Sequence, residues 1–333
     1  MRITFLIIIS ILFTFITSAQ EVDFEGYGAA GFKFYNRETV IEYNQETYYE
    51  GKLQAEIKYN KKIKAQLDFR GNSTDNAVSL REFSLKLEFF KKLYFKIGNL
   101  KMPFGYEQLV NREELYTVDR SFVNNKISEV GYGERRISIM AYHEFDKDEK
   151  DFPFSYYFYV FKDNSLYHGA MTRLSYHNND FIYSINYLFQ QKGGNNPITA
   201  NGFGADVAIE KKDFHSSLQL FYVQDPEEGI RRELQNLNNK IFSTGATYTA
   251  AYNFEFNEEF LKGIEPLILV GIFVPDSDLS EYHTIQSILG INFYIDKDVR
   301  FRINGDLRFI KSKFNSAYST QSSRGIFEIQ VSF

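Results

Sequence analysis

The chain has 333 residues, 24% of them charged, a net charge of −5, and neither cysteine nor tryptophan. The lack of cysteine excludes disulfide stapling, thiolate metal sites and cysteine nucleophiles. The mild, dispersed charge suits neither a nucleic-acid-binding face nor an acidic tail, and 34 Phe with 24 Tyr at a mean hydropathy of −0.35 are unlike an aliphatic soluble core.

The chain opens with Arg2 and an apolar run from Ile3 to Ile16, broken only by Thr4, Ser10 and Thr14. Thr17-Ser18-Ala19 supplies small residues, so a signal peptide is expected over 1–19, cleaved between Ala19 and Gln20. The run is short for a membrane anchor, and acidic Glu21, Asp23 and Glu25 follow it. No later stretch approaches the roughly 20 apolar residues of a spanning helix. If 20–333 crosses a membrane, it must do so as a closed barrel, because lipid offers no partners to open strand edges.

Strands are expected near 22–35, 48–59, 62–71, 79–89, 93–101, 135–145, 153–162, 168–177, 181–190, 201–211, 213–223, 241–254, 265–275, 282–295, 298–311 and 323–333. This predicts an all-β fold, a transmembrane antiparallel β-barrel of about 16 strands in one domain. The faces alternate with period two. Ile63, Ala65, Leu67 and Phe69 point one way, and Lys64, Gln66, Asp68 and Arg70 the other. Phe83, Leu85, Leu87 and Phe89 alternate with Glu82, Ser84, Lys86 and Glu88. Val299, Phe301, Ile303, Leu307 and Phe309 alternate with Arg300, Arg302, Asn304, Asp306 and Arg308. A face this charged is expected to line a watered lumen, since burying unpaired charge is costly. The last strand, Gly325–Phe333, ends on an aromatic of its apolar face and is expected to pair with the first.

The links sort by length. Asn60-Lys61, Phe90–Lys92, Asn178–Asp180, Lys211–Asp213 and Asp296–Asp298 are tight turns. Longer links are expected at 36–47, 72–78, 102–134, 191–200, 224–240 and 312–322. Short inner turns and longer outer loops are the habit of outer-membrane barrels. The exceptions are a short outer link near Asn164 and longer inner ones at 146–152 and 255–264.

The longest link, 102–134, is the candidate functional segment, since a loop of that size without its own core is uncommon unless it is functional. Pro103 ends the preceding strand, and a short helix or irregular stretch is expected between Leu109 and Phe122. The segment carries Gly98, Lys101, Pro103, Phe104, Gly105 and Glu107, then Asp119-Arg120-Ser121, then Arg135-Arg136. In this pattern the sequence resembles the phosphate-selective porin O and P family. The resemblance implies a 16-stranded, trimeric outer-membrane channel whose third external loop folds inward and narrows the pore, with basic residues selecting anions. It implies pore or anion-binding roles for Lys101, Arg112, Arg120, Arg135 and Arg136 on the loop and its return. Arg300, Arg302, Arg308, Lys64, Arg70 and Lys86 are the wall candidates. Arg replaces the hydration of an oxyanion with a planar fork. The alternative for each Arg is a pair with a nearby carboxylate that pins the loop, as for Arg120 beside Asp119. The wall is mixed, with Glu56, Asp68, Glu82, Glu88, Asp206, Glu210, Asp306 and Glu328 offsetting its cations.

No cofactor or metal site is expected, because the five His are scattered. His215 with Ser216 and Ser217 is the nearest approach to a hydrolase pair. The expected function is passive diffusion of small solutes, anions such as phosphate among them, in a bacterial outer membrane. Partners are then membrane lipid and small anions, not nucleic acid. A barrel with an enzymatic or adhesive role is the alternative.

Overall fold

The computed structural model describes residues 21–37, 40–73, 76–146, 152–162, 168–193, 197–235, 240–279, 281–312 and 315–333. The expected signal peptide and the link near Asn164 lie outside them. The strands are β1 (Glu21–Arg37), β2 (Val40–Asn60), β3 (Ile63–Asn72), β4 (Ala77–Phe90), β5 (Leu93–Lys101), β6 (Arg135–His143), β7 (Phe154–Lys162) and β8 (His168–Asn178). They continue as β9 (Phe181–Lys192), β10 (Ile198–Glu210), β11 (Phe214–Gln224), β12 (Phe242–Tyr252, resuming as Phe254–Glu255), β13 (Gly263–Val274), β14 (His283–Tyr294), β15 (Val299–Ser312) and β16 (Asn315–Ser332). Each pairs antiparallel with its neighbours in sequence, and β1 pairs with β16 from Tyr27↔Ser332 to Asn36↔Ser323. The result is a closed 16-strand barrel without a free edge.

Closure explains the terminal aromatic. Phe333 exchanges two backbone hydrogen bonds of 3.0 Å with Gly26. Its ring lies where a Cβ on Gly26 would stand, 2.6 Å from Cζ. The outer face exposes an apolar surface, including Phe83, Ile139, Val160, Ile185, Leu289 and Phe327. Tyr59, Phe89, Tyr176 and Phe254 expose aromatic rings toward the short-turn end. Such a surface suits lipid and not water.

Two expected links are strand instead. Residues 36–47 mostly belong to β1 and β2, which run 17 and 21 residues. The link at 312–322 is largely β16. Strands this long exceed the 9–11 residues that cross a bilayer, so they project past it at the long-loop end.

The lumen also departs from expectation. It is not watered throughout. The inward residues of β6–β13 form an apolar core with the long loop, in which Met140, Tyr159, Met171, Leu188, Phe221, Val223 and Phe273 surround Phe104, Val123, Ile127 and Tyr132. Inward glycines make the room. A Cβ at Gly202 would fall 2.1 Å from the Tyr132 ring, and one at Gly245 would fall 2.6 Å from Val123. A buried bidentate pair, Arg173–Asp206 at 2.7 Å, sits behind this packing.

Candidate pore constriction

The loop 102–134 folds into the barrel. It holds helix α1 (Tyr106–Leu109), a 3-10 turn (Arg112–Glu114) and helix α2 (Phe122–Glu129). Of the two alternatives for Leu109–Phe122, the irregular stretch is the one adopted, with a single 3-10 turn, and the helices flank it. Gly105 adopts φ +90°, where only glycine is comfortable, and a Cβ there would strike the Phe221 ring at 2.8 Å.

Glu107 ties the two halves of the loop together. Its carboxylate accepts hydrogen bonds from the Ser121 N–H at 2.6 Å, the Ser121 hydroxyl at 2.7 Å and the Asn124 amide at 2.5 Å. The Ser121 hydroxyl in turn accepts from Asn124 N–H at 3.1 Å and caps α2. Arg120 completes the tie. It donates to the carbonyls of Glu107 and, at 2.6 Å, Val110. It does not take the expected pairing with Asp119. The Gly-x-Glu and Asp-Arg-Ser residues are thus the joint of the loop.

The loop's middle is gripped by the wall. Arg300 donates to the Glu113 carbonyl and to Gln330 at 3.2 Å. Arg302 donates to the carbonyls of Leu115 and Thr117, each at 3.3 Å, and pairs with Glu328. Both arginines are buried beneath the loop, which corrects the expectation that they line open water. Arg136 is also buried, donating to the Gly131 carbonyl at 3.3 Å and stacking on Phe161. Arg112 contacts Glu50 and reaches Asp119 at 3.4 Å. Glu113 meets Lys52 at 2.5 Å and Arg70 at 3.8 Å. Burial would raise the Glu113 carboxyl, but Lys52 outweighs it and holds the group below its usual range. For Asp119, burial likewise raises, and the surrounding Lys33, Arg112 and Arg324 lower it further than that. Burial lowers Arg120, and the cations Arg70, Arg135 and Arg112 add to that, against Glu107.

A cavity of about 260 Å³ lies between Tyr106–Val110 of the loop and β7–β10, and larger open space lies on the other side of the loop. A cavity of about 830 Å³ occupies the long-loop side. Arg70, Arg81, Lys101, Arg112, Arg120, Arg135, Arg308 and Arg324 line it, against Asp68, Asp119 and Glu134. A second cavity of about 280 Å³ lies toward the short turns, where Lys96, Lys101 and Arg135 balance Asp68, Glu82 and Glu144. Asp68, Lys101, Gln108, Asn111 and Arg135 line both cavities and mark the constriction. Lys101 donates to the Val110 carbonyl at 2.9 Å, the oxygen that Arg120 also uses, so two cations share one neutral acceptor. Arg135 stands 3.7 Å from Asp68 and 3.5 Å from Glu82.

Below the constriction the register lines up a lysine row. Lys58 faces Lys64, Lys64 faces Lys86, and Lys86 faces Lys96. Like charges directly opposite are unfavourable in a sheet. Lys58 finds Asp23 at 2.6 Å, Lys64 finds Glu56 at 2.9 Å, Lys96 finds Glu82 at 2.6 Å, and Lys86 lies 4.6 Å above the Tyr94 ring. Of the expected candidates, Lys101, Arg112, Arg120, Arg135, Arg70 and Arg308 meet at the upper cavity, while Lys64 and Lys86 belong to this row. Arg81 and Arg324 were not expected at the cavity. Strict alternation from Glu82 places Arg81 outside, but a bulge pairs Asp68 with Glu82 and Phe69 with Leu80 and turns it inward. Arg324 precedes the clean alternation of the last strand.

His215 packs at a tilt against Tyr116 of the loop, 5.0 Å between ring centres. No cluster of three metal-ligating side chains occurs among the described residues.

No protein-family model matches the sequence, and no curated protein matches it. Solved structures do match in fold. OmpF of Salmonella typhi, solved with daunomycin, aligns at a TM-score of 0.68 and 14% identity, covering 95% of this chain and 99% of that one. The anion-selective porin of Comamonas acidovorans gives 0.68 at 12% identity, covering 94% and 99%. The outer-membrane channel DcaP of Acinetobacter baumannii gives 0.68 at 9%, covering 94% and 97%. The fold is that of the 16-stranded outer-membrane porins.

Proposed function

We propose that the protein is a bacterial outer-membrane porin for passive diffusion of small solutes, with a preference for anions. The observation that carries this is the upper cavity, where eight Arg or Lys side chains face three carboxylates. Pairing reduces the excess without removing it. Arg70, Arg112, Arg135, Arg308 and Arg324 have carboxylate partners. Lys101 and Arg120 meet only carbonyls in their hydrogen bonds, and Arg81 has no ion pair among the described residues. A narrow mouth with walls of low dielectric focuses such a field on incoming ions. The lysine row then offers further moderate sites, so an anion can enter and still leave. The protein acts as a channel and not as an enzyme. Phosphate is among its solutes, a reading supported by the resemblance around Lys101–Arg136. A homotrimer is its assembly, supported by OmpT of Vibrio cholerae, solved in a trimer form on the same fold.

The test is single-channel recording in a planar bilayer under a potassium chloride gradient. A reversal potential on the chloride side is expected, shifting toward zero in Arg81→Gln with Lys101→Met. Cation preference in the unaltered protein refutes the anion assignment, and no channel events refute the porin. Phosphate added to the chloride bath is expected to reduce the chloride current. Native mass measurement in detergent checks the trimer.

A further inference from the structure

The long inner link at 255–264 is a built hairpin. Strand β12 resumes at Phe254–Glu255 and pairs with the start of β13, Phe254 facing Ile264 and Glu255 facing Gly263. The ladder runs one step further, where Phe256 N–H donates to the Lys262 carbonyl at 2.8 Å. Lys262 Nζ closes the tip by donating to the Glu258 carbonyl at 2.9 Å, and Lys212 pairs with Glu255 at 2.9 Å. The neighbouring strands stop short of it. The last backbone bonds to them run from Asn253 N–H to the Asp213 carbonyl and from Lys262 N–H to the Tyr294 carbonyl, both at 2.7 Å. At about 3.3 Å per residue, Phe256 stands about 10 Å along the chain beyond Asn253.

The projection is exposed from Phe254 to Phe260. Tyr252 and Phe254 are neighbours on the outer face, with ring centres 4.7 Å apart, and alternation carries Phe256 onto the same row. Phe260 at the tip, 76% exposed, is the most exposed phenylalanine among the described residues. Aromatic side chains held out in this way gain nothing from water. The row is continuous with the lipid-facing wall, and it leaves that wall at the short-turn end, which faces the periplasm in outer-membrane barrels. Charge narrows the choice of surface. Glu258, Glu259 and Lys262 are all exposed, so the tip carries both signs, as a zwitterionic phospholipid headgroup does. We infer that residues 253–262 form a membrane-binding foot, which lays Phe256 and Phe260 into the headgroup layer of the inner leaflet of the outer membrane, beyond the aromatic rings of the wall. Its partner is zwitterionic phospholipid. An aromatic anchor outside the cylinder fixes how deep and at what tilt the barrel sits. The foot does not depend on what the channel conducts.

The test uses the absence of tryptophan from the chain, which leaves the whole of the tryptophan emission to an introduced indole. Phe256→Trp, Phe260→Trp and, as a wall reference, Phe83→Trp are made singly in the full chain. Each is folded into phosphatidylcholine vesicles with and without bromine on the acyl chains near the headgroup. Bromine is present in both leaflets, so the direction of insertion does not matter. Emission at shorter wavelength than indole in water, with about a twofold loss of intensity in the brominated vesicles, is expected at 256 and 260 as at 83. Phe260→Trp, at the open tip, decides the matter if Phe256→Trp does not assemble. Water-like emission at 260 that brominated lipid leaves unchanged, with Phe83→Trp quenched in the same vesicles, overturns the foot. It does so even where Phe256→Trp is quenched, since quenching at 256 alone marks only the lower end of the wall. A blue-shifted indole at 260 that bromine does not reach also overturns it, and assigns the tip to a contact between copies of the chain.

Discussion

Glu107 is one carboxylate with three donors, and the loop's two arms meet on it. Glu107→Gln keeps the volume but removes the charge and places an amide N–H against Ser121 or Asn124. A loss of about 1–3 kcal/mol is expected, seen as a lower melting temperature in detergent and noisier open-channel current. Asp119 supplies the pH dependence. Its folded pKa lies below the ordinary 3.8, so its contribution is complete above that value and is lost as pH falls through the folded one. The Asp119 contribution to conductance and selectivity is accordingly expected to be constant between about pH 7 and 5 and to be lost only below about pH 4. The individual residues were partly legible in sequence. Lys101, Arg120 and Arg135 stand out by motif. The partners of Arg300 and Arg302 do not, because they are backbone carbonyls of a distant loop that no pattern names.

At the scale of elements, the alternation of Phe, Leu and Ile with Lys, Glu and Arg located the strands, since a barrel wall has two solvents and each residue must choose one. It failed where the inner solvent is protein. In β7 the run Tyr156–Phe161 is apolar on both faces, and Tyr157, Tyr159 and Phe161 turn inward onto the loop. That run and the inward glycines of β10, β12 and β13 were the available signals of a filled lumen. The glycines give a direct check. Gly202→Ala places a Cβ in the Tyr132 ring and is expected to cost about 1–3 kcal/mol through overpacking, with the loop becoming sensitive to added protease. Gly28→Ala meets nothing within 4 Å and is expected to be neutral in the same assay.

For the whole molecule, the loop divides the lumen unevenly. The inner surface of β6–β13 packs the loop, and the two cavities that carry the loop cations are lined from β2–β7, β15 and β16. Charge changes should divide accordingly. Replacing Lys64 and Lys86 by Gln is expected to move the reversal potential toward zero without altering the melting temperature by more than about a degree or two, since partly exposed pairs contribute little. Replacing Arg173 by Gln strands a buried Asp206 and is expected to cost about 3–5 kcal/mol, read as loss of the heat-stable barrel on a gel, while the selectivity of surviving channels stays unchanged. The strand count and closure were legible because they follow from alternation and turn spacing. The narrowness of the path was not, because it depends on which wall the loop chooses.

The seam between β1 and β16 joins the two ends of the chain, and it is also part of the wall that holds the loop. Lys33 on β1, and Arg324 and Glu328 on β16, all meet loop residues. A docked loop therefore presents, through Arg112 and Asp119, part of the surface on which β1 and β16 meet. Seating the loop and sealing the cylinder become one cooperative step in time. A chain whose loop cannot dock should therefore close its seam less readily.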